Sequence, residues 1–114
     1  MKRKNCCPIA QALGVLGDKW SLIVLRDVIF GKKRHFNDLL ASPEKISTNI
    51  LSNRLKTLQQ ESLLCCSVDL ENRRSKIYTP TEKAQDLVPV LVELYKWGEK
   101  YNDRAETAEN PMQE

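Results

Sequence analysis

The chain has 114 residues, 41% of them hydrophobic and 29% charged, with a net charge of +3. That size and balance suit one domain with a real core and exclude a chain too polar to fold. No apolar run approaches the ~20 residues of a membrane span. The basic start, MKRKNCCPIA, lacks the apolar segment and small-residue cleavage site of a signal peptide, so the expected compartment is the cytoplasm.

The net charge hides an asymmetry. Residues 1–83 carry 15 Lys and Arg against 8 Asp and Glu, whereas residues 84–114 carry 3 against 7. A polyanionic partner would therefore meet the first three-quarters of the chain. The four cysteines form two adjacent pairs, Cys6–Cys7 and Cys65–Cys66, and neither has the C-x-x-C spacing of a zinc site. With a single histidine, no metal and no cofactor is expected, and in a cytoplasmic setting the thiols are expected to be reduced.

In chain order, Pro8 suits the first position of a helix, and Ile9, Leu13 and Leu16 follow at helical spacing until Gly17. Asp18 can cap a second helix running to about Phe30, apolar on most sides and so expected to be central. The basic connector Lys32 to His35 is read as a loop or short strand. Asn37 is read as the cap of a short helix bearing Leu39 and Leu40, with Phe36 just before it as a staple. Ser47 is a natural cap for a fourth helix ending near Glu61. Leu63 to Val68 and Lys76 to Thr79 read as the strands of a hairpin with a charged tip, the first placing one of Cys65 and Cys66 on each face. Thr79-Pro80-Thr81-Glu82 fits a capping box, with Thr81 as a competing cap. A last helix is then expected to reach about Tyr101, kinked by Pro89. Residues 1–101 thus read as one domain and 102–114 as a polar, disordered tail.

The fourth helix carries the functional signal. Leu51, Leu55 and Leu58 recur at i, i+4 and i+7 and make a core stripe. The opposite side holds Thr48, Asn49, Ser52, Asn53 and Lys56, with Arg54 on the flank. Ser, Thr and Asn compete with a helix for backbone hydrogen bonds, so an ordinary solvated face favours Glu, Lys, Gln and Ala instead. The polar set makes sense if it meets DNA, because these side chains supply the donors and acceptors that read base edges in the major groove. Ser47, Thr48, Asn49, Ser52 and Asn53 lie in the N-terminal half that a recognition helix presents to bases, and Lys56 is better placed for phosphate. Arg54 either leans onto phosphate or pairs internally with an acid. Arg73, Arg74 and Lys76 make the hairpin a basic wing able to lie along the backbone or in the minor groove. Lys32, Lys33 and Arg34 offer a further phosphate contact or a merely solvated connector.

The segments CPIAQALGVLGDKWSLIVLRDVIFG, RHFNDLL, ISTNILSNRLKTLQQESLL and YTPTEKAQDLVPVLVELYKWGE carry a resemblance that extends over about nine-tenths of the chain. Through them the sequence resembles the HxlR-type winged-helix transcriptional regulators, relatives of the MarR-type regulators. The departures are a short wing segment, and Pro80 and Ala84 where Leu and Gly are usual around Thr81. The resemblance implies a mainly α fold with a small β-hairpin wing, and a homodimer built from the first and last helices that binds operator DNA. The expected operator is an inverted repeat with half-sites about one helical turn apart.

Dimerisation also follows from the residues. A lone domain cannot easily cover Leu87, Leu91, Leu94, Tyr95 and Trp97 on the last helix, and a symmetric partner helix can, with Ile9 and Leu13 of the first helix joining it. Control of binding is expected through a small ligand or through cysteine oxidation. If a cysteine responds, the choice falls on Cys7, where the unpaired N–H groups of a helix start and nearby Lys2, Arg3 and Lys4 favour a thiolate. Some relatives use a cysteine at this position, which is what the resemblance implies. No phosphate loop, paired-His motif or nucleophilic triad argues for an enzyme. The rival reading is a winged-helix module that binds protein and never touches DNA.

Overall fold

The computed structural model describes residues 7–102; Lys2, Arg3, Lys4, Cys6 and the tail from residue 103 onward lie outside the described residues. The elements are α1 (Pro8–Leu16), α2 (Ser21–Ile29), α3 (Phe36–Leu40), α4 (Thr48–Gln60), β1 (Leu64–Val68), β2 (Lys76–Pro80), α5 (Glu82–Gln85) and α6 (Val88–Tyr101). This is a winged helix-turn-helix: α3 and α4 with the turn between them, followed by an antiparallel hairpin.

The core gathers around α2. Val24, Leu25 and Val28 meet Leu39 of α3, Leu51, Leu55 and Leu58 of α4, Leu64 and Tyr78 of the hairpin, and Ala84 of α5. The apolar stripe of α4 is thus inside, at no more than 2% exposure for any of the three leucines. Burial of each such side chain is worth about 1.5–3 kcal/mol, which is why the 3.6-residue period fixes the orientation of the helix.

Local chemistry sets the element ends. The Asp18 carboxylate accepts the backbone N–H groups of Trp20 and Ser21 at 2.9 and 3.0 Å, so it caps α2 from three residues ahead of the first helical residue. Ser47 Oγ accepts the Ile50 N–H at 3.2 Å and starts α4. The end of α4 closes through Leu63 N–H to Leu58 C=O and Ser62 N–H to Gln59 C=O, with Ser62 left-handed at φ 63° and Leu58 touching Leu63 in the core. The hairpin pairs Leu64 with Pro80, Cys66 with Tyr78 and Val68 with Lys76.

Two open alternatives are decided, the connector and the Thr81 cap, and two expectations change, the start of α3 and the course of the last helix. Lys32 to His35 forms no strand; its one ladder-like bond is Tyr78 N–H to the Arg34 carbonyl, because Lys32 turns left-handed and breaks the extended run. His35, not Asn37, precedes α3, so Phe36 and Asn37 lie inside the helix. Of the two competing caps, Thr81 wins: its Oγ1 accepts the Ala84 N–H and donates to the Ser62 carbonyl, while Pro80 ends β2. The last helix is two helices rather than one kinked helix. Pro89 has no N–H for the Gln85 carbonyl and its ring crowds that group, so the chain turns at Asp86 and Leu87 and Pro89 falls in the first turn of α6. Among the described residues no helix is long and apolar enough to cross a membrane.

The turn between α3 and α4 is held by charge. Arg26 of α2 donates from Nη1 and Nη2 to Oε2 and Oε1 of Glu44, both at 2.8 Å, and from Nε and Nη2 to the buried Asp27 at 2.9 and 2.8 Å. Ser42 Oγ adds a 2.6 Å bond to Glu44. The Arg26 hydrogen bonds hold the Glu44 carboxyl down to about 2 from its ordinary 4.5, although burial opposes this. A depressed carboxyl stabilises the fold above its unfolded pKa and loses that contribution as pH falls through the folded one. Urea denaturation should therefore show wild-type stability declining as pH drops from about 4.5 toward about 2. Glu44→Gln should be less stable by about 1–2 kcal/mol at neutral pH, a figure reduced for partial exposure, and should show a flatter decline.

Candidate nucleic-acid interface

The outer face of α4 is open. Ser47, Thr48, Asn49, Ser52, Asn53 and Lys56 are all exposed, on a helix whose other side is packed into the core. Asn49 and Asn53 are one turn apart, Ser52 and Lys56 likewise, so the four make a contiguous strip opposite the leucines. The strip offers amide and hydroxyl groups, which can both donate and accept, and one ammonium, which only donates. Ile50 is 39% exposed beside it. Sequence reasoning passed over this residue; an apolar group at such a site suits a thymine methyl.

Arg54 turns inward. Its Nη1 donates to Asp18 Oδ1 at 3.1 Å and to Ser21 Oγ at 3.2 Å, and its Nε and Nη2 donate to Asn53 Oδ1 at 3.2 and 2.7 Å. Of the two roles left open for it, the structure shows the internal pair with an acid, which occupies the fork that a phosphate would need. Burial pushes the Asp18 carboxyl up, but hydrogen bonds from the Ser21 hydroxyl and the two backbone N–H groups, together with Arg54, hold it below its ordinary value. Asp18 therefore caps α2 and anchors α4 at once. The capping role was readable in the sequence; the partner 36 residues away was not.

Arg73, Arg74 and Lys76 are exposed at and beside the wing tip, where Asn72 Oδ1 accepts the Arg74 N–H and Asp69 Oδ1 accepts the Glu71 N–H. His35 links this tip to α3. Its Nε2 lies 3.1 Å from Asp69 Oδ2, and its Nδ1 lies 3.6 Å from Asp38 Oδ2. The Glu71 N–H first, and His35 after it, hold the Asp69 carboxyl below its usual range. Between wing and α3 lies a recess of about 240 Å³, lined in part by His35, Asn37, Arg74 and Lys76. Wing and recognition helix are thus tied to one frame, with the basic groups of the wing left outward. Of the connector residues, Lys32 is exposed, whereas Arg34 is half-buried against the wing.

The exposed surfaces of α1 and α6 carry apolar side chains. α1 contains no buried residue, and Ile9 and Leu13 are 70% and 58% exposed. On α6, Val90, Leu94 and Trp97 line a shallow groove with Pro89 and Glu93. Trp97 stacks at a tilt on Tyr101, with ring centroids 5.5 Å apart. Of the residues assigned to a dimer surface, Ile9, Leu13, Leu94 and Trp97 are exposed and Tyr95 is half-buried. Leu91 is instead buried within its own chain and Leu87 packs on the core, because the turn at Asp86 and Leu87 rotates the start of α6. Cys7 is exposed immediately before α1, and Cys65 and Cys66 are both exposed on β1.

The HxlR-like helix-turn-helix family model matches residues 15–106. The HTH-type transcriptional regulator YdeP of Bacillus subtilis is 34% identical over 103 residues, covering 90% of this chain and 80% of that protein. The solved structure of the redox regulator HypR in its oxidized form superimposes with a TM-score of 0.74 at 26% identity, over 85% of this chain and 99% of that one. The reduced form of the transcriptional regulator YodB from B. subtilis superimposes with a TM-score of 0.66 at 27% identity, over 87% of this chain and 97% of that one.

Proposed function

The chain belongs to the HxlR-like helix-turn-helix family, and on that premise we propose that it is a sequence-specific DNA-binding transcriptional regulator, not an enzyme, acting in the cytoplasm as a homodimer on an inverted-repeat operator. The observation that carries the reading is the strip of Thr48, Asn49, Ser52, Asn53 and Lys56, fully outward on a helix whose inward side is clamped to the core. Asn49, Ser52 and Asn53 set sequence choice. Lys56, Arg73, Arg74 and Lys76 set affinity through phosphate. The roles differ in what they leave behind when removed. In duplex titrations at several salt concentrations, Arg73→Ala should weaken binding to every sequence and flatten the salt slope by about one unit. Asn49→Ala should lose about 1–3 kcal/mol on the preferred site and relax discrimination at one base pair. Unchanged slopes and unchanged sequence profiles in both variants would favour a protein-binding module instead.

The exposed apolar face of α1 and α6 supports a symmetric dimer. Its charge supports the same placement, since the acidic last quarter of the chain is the part best kept away from phosphate. Two recognition helices would then meet successive major grooves about 34 Å apart. Leu94, half-exposed on α6, is the position to test because a charge there leaves the monomer core intact. Leu94→Glu should keep its helical circular dichroism and sediment at half the wild-type mass. A wild-type chain that sediments as a monomer at micromolar concentration would contradict the dimer.

Control is assigned to an effector acting on this same interface, either a small ligand or oxidation of Cys7. HypR is a redox regulator, and YodB has been solved bound to quinone and after diamide treatment; here an exposed cysteine stands at the start of a helix assigned to the dimer surface. Diamide would take up two protons and two electrons as the Cys7 thiols of two protomers join in a disulfide, changing the angle between the recognition helices. Non-reducing electrophoresis and operator binding before and after diamide should show a crosslinked, altered wild type and an unresponsive Cys7→Ser. A response that survives in Cys7→Ser would move the switch to another cysteine, and identical binding by oxidised and reduced wild type would leave the ligand route.

A further inference from the structure

The hydrogen bonds of Arg54 decide what Asn53 can offer to a ligand. An amide side chain usually presents both a donor and an acceptor, and with both it recognises adenine by accepting from N6 and donating to N7. In this chain the Asn53 oxygen is already occupied. Arg54 directs Nε at 3.2 Å and Nη2 at 2.7 Å onto the single atom Oδ1. The assignment of oxygen and nitrogen follows from chemistry, because a guanidinium carries only donors and cannot face an NH₂ group. Both N–H groups converge on that oxygen from the same side and hold it turned toward the guanidinium, which leaves the NH₂ as the end of the amide free to face a ligand. The guanidinium cannot easily swing away, since its Nη1 is held by Asp18 and Ser21, and its side chain is only 21% exposed. No protein group among the described residues holds Asn53 Nδ2.

We infer that Asn53 is a specificity residue that reads as a donor only, set in that state by Arg54, and that the base it faces in each half-site is guanine rather than adenine. The inference rests on the reading that α4 enters the major groove. Guanine presents two adjacent acceptors, O6 and N7, to the outward NH₂ of Asn53; adenine presents N7 beside an N6 donor, which leaves two donors facing each other. Arg54 is therefore a positioning residue for recognition. It touches no base and still sets which base is accepted.

The experiment is selection of preferred sites from a randomised duplex pool by the full-length chain, followed by titration of the four single-base variants at one position. Asn53→Ala locates that position as the one whose preference disappears. Wild type should prefer guanine over adenine there by about tenfold. Arg54→Met keeps the bulk of the stem and removes every donor, and Arg54→Lys keeps the charge toward Asp18 but cannot place two N–H groups on one oxygen. Both should shift the preference at that position toward adenine and leave the other positions unchanged; circular dichroism reports whether each is folded, and the lysine variant carries the test should the methionine variant unfold. Adenine preferred by wild type, a profile unmoved in folded Arg54 variants, or an Asn53→Ala loss that is equal on all sequences would each overturn the assignment while leaving DNA binding intact. A wild-type chain that enriches no site would instead remove the DNA-reading premise and this assignment with it.

Discussion

Two arginines tie α4 and the turn ahead of it to α2, and the placement of the outward strip depends on them. Arg26 reaches from α2 to Glu44 in the turn ahead of α4, with both guanidinium nitrogens at 2.8 Å. Arg54 reaches from the second turn of α4 to Asp18 ahead of α2. Leucine packing alone leaves a helix some freedom to slide and roll on an apolar surface. Directional N–H bonds to fixed acceptors restrict that freedom: Arg26 places a planar fork on the Glu44 carboxylate, and Arg54 directs one N–H to Asp18 and another bond to Ser21. Both acids are about one-third exposed, so solvent screens these pairs and their larger contribution is to orientation rather than to stability.

From that frame the rest follows outward. The core leucines of α4 face in, so its Asn, Ser, Thr and Lys residues face out. The wing is joined to the same frame twice, by Tyr78 N–H on the Arg34 carbonyl and by His35 on Asp69. α1 and α6 stand apart from this arrangement: one has no buried residue and the other has only Leu91. A chain that leaves Ile9, Leu13, Leu94 and Trp97 in water has apolar surface on elements other than the one that carries its polar strip, which is the division of surfaces that the proposed two-fold dimer would use.

Short-range patterns were legible in the sequence. The stripe Leu51, Leu55, Leu58, the Ser47 and Asp18 caps, and the strands around a charged tip each rest on neighbours within a few residues, where period and turn chemistry act. Readings stayed open, or went wrong, where two local solutions competed or where a partner lay far along the chain. Thr79 and Thr81 both fit a capping pattern, and the Ser62 carbonyl, 19 residues away, favoured Thr81. Pro89 signalled a disturbed helix, but whether a helix kinks or divides depends on how the preceding turn packs on the core. The role of Arg54 hung on Asp18 and Ser21, both more than 30 residues distant. Leu91 and Leu94 look alike on a helical stripe, and only the turn before α6 separates the buried one from the exposed one.

The central claim is that the outward strip of α4 and the wing form one DNA-reading surface carried on a clamped core. The most direct measurement is the change in backbone and side-chain amide resonances of the full chain when a selected operator duplex is added. The account predicts shifts concentrated at Thr48, Asn49, Ser52 and Asn53 and at Arg73 and Arg74, with Leu51, Leu55 and Leu58 perturbed only as neighbours. Shifts confined to α1 and α6, with the α4 strip unmoved, would contradict it.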